Sequence, residues 1–109
     1  MTRGSIVVVA ARGAYTNKPR LALVVQADVF LPTHASITIC PITSDCVDAP
    51  LFRVTLPPGE RTGLEVISQV MTDKMVSVPR GAIVREIGAC DSDELLAVDN
   101  ALRGWLALT

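Results

Sequence analysis

Histidine and cysteine, the side chains that most often serve as nucleophile activators and zinc ligands, are scarce in this sequence. There is one histidine, His34, and there are three cysteines, Cys40, Cys46 and Cys90. A Ser-His or Cys-His nucleophilic pair would have to be built around His34 alone. Zinc needs a C-x-x-C-like pair or several histidines, and neither is present, so no metal and no other cofactor is expected. An odd number of cysteines without a secretion signal fits a reducing compartment, and the expected localisation is cytoplasmic. What remains is charge. Arg3, Arg12, Lys18 and Arg20 all precede the first acid, Asp28, whereas Asp91, Asp93, Glu94 and Asp99 are offset only by Arg103 near the end. A formal net charge of −1 thus hides a basic N-terminal quarter and an acidic C-terminal segment. Solvated faces on a globular protein would account for this. So would a loop bearing Arg12 and Lys18 poised over a phosphate backbone, with Tyr15 stacking on an unpaired base.

The elements that must carry these groups read as strands first and a helix last. Residues 6–10 and 21–26 are short β-branched and apolar runs, as in strands buried on both faces. Residues 12–19 between them are rich in turn residues and form a loop. Residues 36–42 continue the series, with Ile37, Ile39 and Pro41 on one face and Thr38, Cys40 and Ile42 on the other. Residues 51–56 alternate and stop at Pro57-Pro58-Gly59. Stretches 64–71, 74–78 and 83–87 complete the strands, whose short spacing implies a sandwich or small barrel. At Asp91 the period changes. Asp91 with Glu94 has the capping-box spacing, and Leu95, Val98, Leu102 and Trp105 then form one helical stripe, widened by Leu96, Leu106 and Leu108. The interior Gly104 implies a last turn that frays or packs closely.

At 109 residues the chain is one domain, residues 1–109. Half of it is hydrophobic and its mean hydropathy is +0.42, high for so small a domain. No apolar run approaches the roughly 20 residues of a spanning helix. Residues 6–11 follow Arg3 and faintly imitate a signal peptide, but the run is short and Arg12 closes it. The surplus apolar surface instead implies burial against a partner, best an obligate dimer.

The chain also resembles a family. Arg3-Gly4 before an apolar strand, Arg20 followed by Leu21-Ala22-Leu23-Val24-Val25-Gln26-Ala27-Asp28, Ile39-Cys40-Pro41-Ile42-Thr43-Ser44, and Ser68-Gln69-Val70-Met71-Thr72-Asp73 look like the MazF/PemK toxins. These are sequence-specific endoribonucleases of type II toxin–antitoxin pairs. The resemblance implies a mainly β, SH3-like small barrel with a C-terminal α-helix, assembled as a homodimer. It implies metal-independent cleavage of single-stranded RNA through 2′-OH attack, giving 2′,3′-cyclic phosphate and 5′-OH ends. Arg20 and Thr43 fall at the family's active-site arginine and threonine, and Asp73 at an acidic position that often helps fix the site; read as residues alone, they are also a strand-entry arginine, ordinary turn chemistry and a turn acid before Lys74. Arg12, Tyr15, Lys18, Ser44 and Lys74 are the accompanying RNA-binding candidates. The implied partner besides RNA is a cognate antitoxin whose acidic segment covers the basic groove.

Departures from the family pattern bear on specificity. Leu21 follows Arg20 where proline is usual, with Pro19 before it instead. Ser5 replaces an acid, the first loop lacks a G-x-E-Q-x-G run, Lys74 stands for a frequent Gln, and Val76 for a common arginine. Target preference therefore cannot be taken from relatives. Two other readings share the architecture: a gyrase-poisoning toxin acting by binding, and a non-catalytic RNA-binding barrel. The gyrase-poison branch acts through the last helix, so Arg20 with Thr43 favours the nuclease.

Overall fold

A computed structural model describes residues 1–10 and 18–108. Seven strands form one antiparallel sheet: β1 Ser5–Val9, β2 Arg20–Val24, β3 Ser36–Thr43, β4 Arg53–Leu56, β5 Ser68–Met71, β6 Val76–Pro79 and β7 Ile83–Ala89. The helix α1, Ser92–Trp105, follows. Strand order is β4-β5-β3-β2-β1-β7, with β6 also paired to β3, so the pairings of the expected barrel leave the sheet unclosed. No helix among the described residues is long and apolar enough to cross a membrane.

The sheet carries a core on each side, which is why the central strands read as continuous apolar runs. Ile6, Leu23, Cys40, Ile42, Leu56 and Val70 pack with Val98 and Leu102 of α1. Val7, Val9, Ala22, Val24, Ile37 and Ile39 form the second cluster, with Leu31. The alternation expected for β3 is therefore present. Pro41, which has no N–H to give to a ladder, sits where β3 changes neighbour, between its pairing with β6 at Ser36–Ile39 and with β5 at Ile42–Thr43.

Several expected boundaries move. Strand 64–71 shortens to β5, because Leu64 reaches the core from the preceding loop. Strand 74–78 begins later, because Thr72–Lys74 is a 3-10 turn whose buried Thr72 donates its hydroxyl to the Phe52 carbonyl at 2.7 Å. Gly88 and Gly63 explain how the 57–64 loop lies against β7. A Cβ on Gly88 would stand 2.2 Å from the Thr62 carbonyl, and one on Gly63, at φ +73°, 2.1 Å from the Ile87 oxygen.

The helix starts as expected. The Asp91 carboxylate accepts from the Glu94 N–H at 2.8 Å, and the Glu94 carboxylate accepts from the Asp91 N–H at 2.9 Å. Its stripe is narrower than the sequence implied: Val98, Ala101 and Leu102 are buried, while Leu96, Trp105, Leu106 and Leu108 remain largely exposed. The Trp105 ring packs against that of Phe52, at 5.7 Å between ring centres. Gly104 has no neighbour within 4 Å of a built Cβ, so close packing does not account for it. At the N-terminus Arg3 ties sheet to helix, through Val25 O at 2.9 Å and Asp99 at 2.7 Å.

Candidate functional site

The antiparallel register decides which candidate residues meet. Leu21 pairs with Ile42, Ala22 with Pro41 and Leu23 with Cys40, so Arg20 at the start of β2 faces Thr43 at the end of β3. Thr43 pairs in turn with Gln69 of β5, and Gln69 with Thr55 of β4. These side chains form a row across one end of the sheet, on the face turned away from α1, because residues in register project to the same side.

Arg20 is exposed, and among the described residues its guanidinium has no hydrogen-bond or ion-pair partner. Thr43 is half-buried, and its Oγ1 accepts from the Asp45 N–H at 3.0 Å. With an acceptor site so occupied, the hydroxyl proton is free to be donated outward. Ser44 is exposed immediately beyond it. A guanidinium fork beside a donating hydroxyl can hold the oxygens of one tetrahedral anion and stabilise added negative charge there.

The 44–48 loop rises from this row and is held from below. Gln69, 7% exposed, accepts from the Val47 N–H and donates to the Val47 carbonyl, both at 3.0 Å. Its oxygen also accepts from Arg53 Nη1 at 3.0 Å, and its amide reaches Thr55 Oγ1 at 3.4 Å. Arg53 Nη1 donates as well to the Asp45 carbonyl at 3.2 Å. Sequence reasoning quoted Gln69 only within a motif and passed over Arg53. A buried glutamine on a strand beside the threonine was the one available signal.

The remaining candidates divide. Lys18 is exposed, two residues before Arg20 and at the same end of the sheet. Arg12 and Tyr15 lie outside the described residues. Asp73 and Lys74 are not in the row: they sit on the Thr72–Lys74 turn, which packs against α1 and β3. Asp73 is near enough to Cys40 on the helix side for its charge to act on that thiol. Burial, opposed by Arg3 and reinforced by Asp73, pushes the Cys40 pKa up to about 11. One Asp73 carboxylate oxygen is buried without a hydrogen-bond partner. His34 is exposed beyond the opposite end of β3.

The fold and the row together describe a small β-sheet module with a C-terminal helix that presents a cation and a hydroxyl in register at one end of its sheet. Residues 2–106 match the model of the PemK-like, MazF-like toxins of type II toxin–antitoxin systems, and the chain belongs to that family. A probable endoribonuclease MazF of Mycolicibacterium smegmatis is 42% identical over 108 residues, covering 99% of this chain and 98% of the relative. Endoribonuclease MazF9 of Mycobacterium tuberculosis is 33% identical over 116 residues, with 99% and 98% covered. In fold, a MazE–MazF crystal structure from Deinococcus radiodurans matches with a TM-score of 0.85 at 23% identity, covering 100% of this chain and 97% of the other.

Proposed function

We propose that this toxin is an endoribonuclease that cleaves single-stranded RNA at the Arg20–Thr43 pair. The observation that carries the proposal is the strand register that sets Arg20 opposite Thr43, whose hydroxyl oxygen accepts from the Asp45 N–H. The endoribonuclease relatives, similar over nearly the whole chain, supply the reaction class.

In the proposed reaction the ribose 2′-oxygen attacks the adjacent phosphorus and the P–O5′ bond breaks. The 2′-OH loses its proton, the departing 5′-oxygen gains one, and the ends are a 2′,3′-cyclic phosphate and a 5′-OH. Negative charge builds on the non-bridging oxygens of the phosphorane. Arg20 neutralises it with a permanent cation, and Thr43 donates to the same group. The guanidinium pKa above 12 favours an electrostatic role over proton abstraction. Lys18 and Ser44, at the same end of the sheet, extend the contacts along the backbone, with Arg12 and Tyr15 contributed by the first loop. Lys74 and Asp73, on the helix side, act at most at a distance from the scissile phosphate.

The protein is proposed to work in the cytoplasm, where its three free thiols stay reduced. It is proposed to be a homodimer that buries part of the apolar surface around Leu96, Trp105, Leu106 and Leu108. An antitoxin is its proposed inhibitor, since the Deinococcus relative is seen with MazE; an acidic segment would compete with RNA for the basic end of the sheet.

The test is incubation of the purified protein with a long unstructured RNA in EDTA, followed by mapping of the cut ends. Cyclic-phosphate ends that disappear with Arg20→Ala and with Thr43→Ala are expected. Intact RNA, together with trapped gyrase–DNA complexes in a parallel assay, would overturn the proposal in favour of gyrase poisoning. RNA binding without cleavage would leave only the RNA-binding barrel.

A further inference from the structure

We infer that Gln69 is a positioning residue for the cleavage reaction, acting through the 44–48 loop on Thr43 and Ser44. The inference rests on the endoribonuclease reading above.

The 44–48 loop is not part of any strand, yet its backbone is fixed at two places. Val47 is bound at both its N–H and its carbonyl by the single carboxamide of Gln69, each at 3.0 Å, as a neighbouring strand would bind it. Asp45 is bound at its N–H by Thr43 Oγ1 and at its carbonyl by Arg53 Nη1. Arg53 Nη1 also donates to Gln69, so the two anchors are one network. Gln69 uses both of its N–H donors and accepts two bonds at its oxygen, leaving the amide no freedom to rotate. Only a carboxamide can do this, because Val47 presents a donor and an acceptor together.

The consequence reaches the reacting groups through Thr43. The Asp45 N–H fills an acceptor site of the Thr43 hydroxyl and leaves its proton to the substrate. If the loop lifts, that N–H leaves, and the hydroxyl is free to turn away from the phosphate. Gln69 itself is 7% exposed and turned into the network, so it needs no contact with RNA. Its loss should lower the rate of chemistry more than the affinity for RNA. A misplacement of about an ångström costs up to roughly a hundredfold in rate.

The experiment compares Gln69→Leu and Gln69→Glu with the unaltered protein on one RNA substrate. Leucine removes every bond, whereas glutamate keeps the acceptors for Val47 and Arg53 but loses both donors. Expected is a fall in kcat of at least about tenfold for Gln69→Leu, a smaller fall for Gln69→Glu, and KM within about twofold for both. Hydrogen exchange read at the Val47 and Asp45 amides should accelerate in the same order. An unchanged kcat with a released Val47 amide would overturn the inference, and so would a raised KM with kcat intact, the mark of direct RNA contact. Equal protection of both amides in all three proteins would also overturn it. If Gln69→Leu does not fold, Gln69→Glu alone carries the comparison. If the unaltered protein cuts no RNA, the endoribonuclease reading fails, and the exchange data still decide whether Gln69 holds the loop.

Discussion

Adding one methyl group at Gly88 should damage this fold more than any other glycine-to-alanine change in β7 or α1. A Cβ there would lie 2.2 Å from the Thr62 carbonyl carbon and oxygen and 2.5 Å from the Arg61 oxygen. All three atoms are backbone, so no side chain can swing aside, and the 57–64 loop must retreat by about an ångström or more to restore van der Waals contact. That loop is anchored by the Ala89 N–H to Arg61 O bond at 2.9 Å and by Thr62 Oγ1 to Pro57 O at 2.8 Å. Overpacking costs about 1–3 kcal/mol. Loss of the Ala89 bond adds about 1 kcal/mol. The expected total for Gly88→Ala is roughly 2–4 kcal/mol, the sum of those two costs. For a domain near 100 residues this lowers Tm by on the order of 10–25 °C. Gly104→Ala is the internal control. It lies in α1 with nothing within 4 Å of the added carbon, so it should stabilise by up to about 1 kcal/mol. Paired thermal and urea denaturation measures both. A Gly88→Ala protein within about 1 kcal/mol of the parent would refute the steric argument, because no relaxation that small fits a backbone-to-backbone clash.

Three further outcomes follow from the geometry. Helix α1 closes with Leu108 N–H bound to Arg103 O at 2.8 Å and Ala107 N–H to Gly104 O at 3.3 Å, and Ala107 at φ 58° occupies the left-handed position that glycine prefers. Ala107→Gly should therefore raise stability by about 1 kcal/mol, read as a higher urea midpoint at constant m. Burial pushes Cys40 up to about 11 and Cys90 up to about 12, from an ordinary 9.0. The folded state thus holds these protons longer than the unfolded chain, so their contribution is complete below pH 9 and is lost as pH rises through 11 and 12. Stability measured against pH should fall above 9, and a Cys40→Ala, Cys90→Ala double variant should fall less steeply; equal slopes would contradict the assignment. In the RNA assay, Thr43→Ser keeps the hydroxyl and should retain most of the activity, whereas Thr43→Val should lose about 10²–10³ in kcat. Equal rates for the serine and valine variants would remove the hydroxyl from the mechanism.

The sequence by itself determined what depends on near neighbours. Apolar runs and breakers gave β1, β2 and β3, and the Asp91–Glu94 spacing gave the start of α1, because each is fixed by contacts within a few residues. Local pattern failed at Lys74, which reads as the first residue of a strand but closes a turn held by buried Thr72, bonded to a carbonyl 20 residues away. Arg20 and Thr43 were legible as family positions. Their meeting was not, since it depends on how β2 and β3 register across the chain that separates them. Asp73 looked like a supporting acid because it closes the same motif as Gln69, yet β5 ends between them, and Asp73 sits on the helix side while Gln69 joins Thr43. Strand alternation and the turn after β5 send neighbours in sequence to opposite faces. Only the tertiary structure decides which of them belongs with the arginine and the threonine.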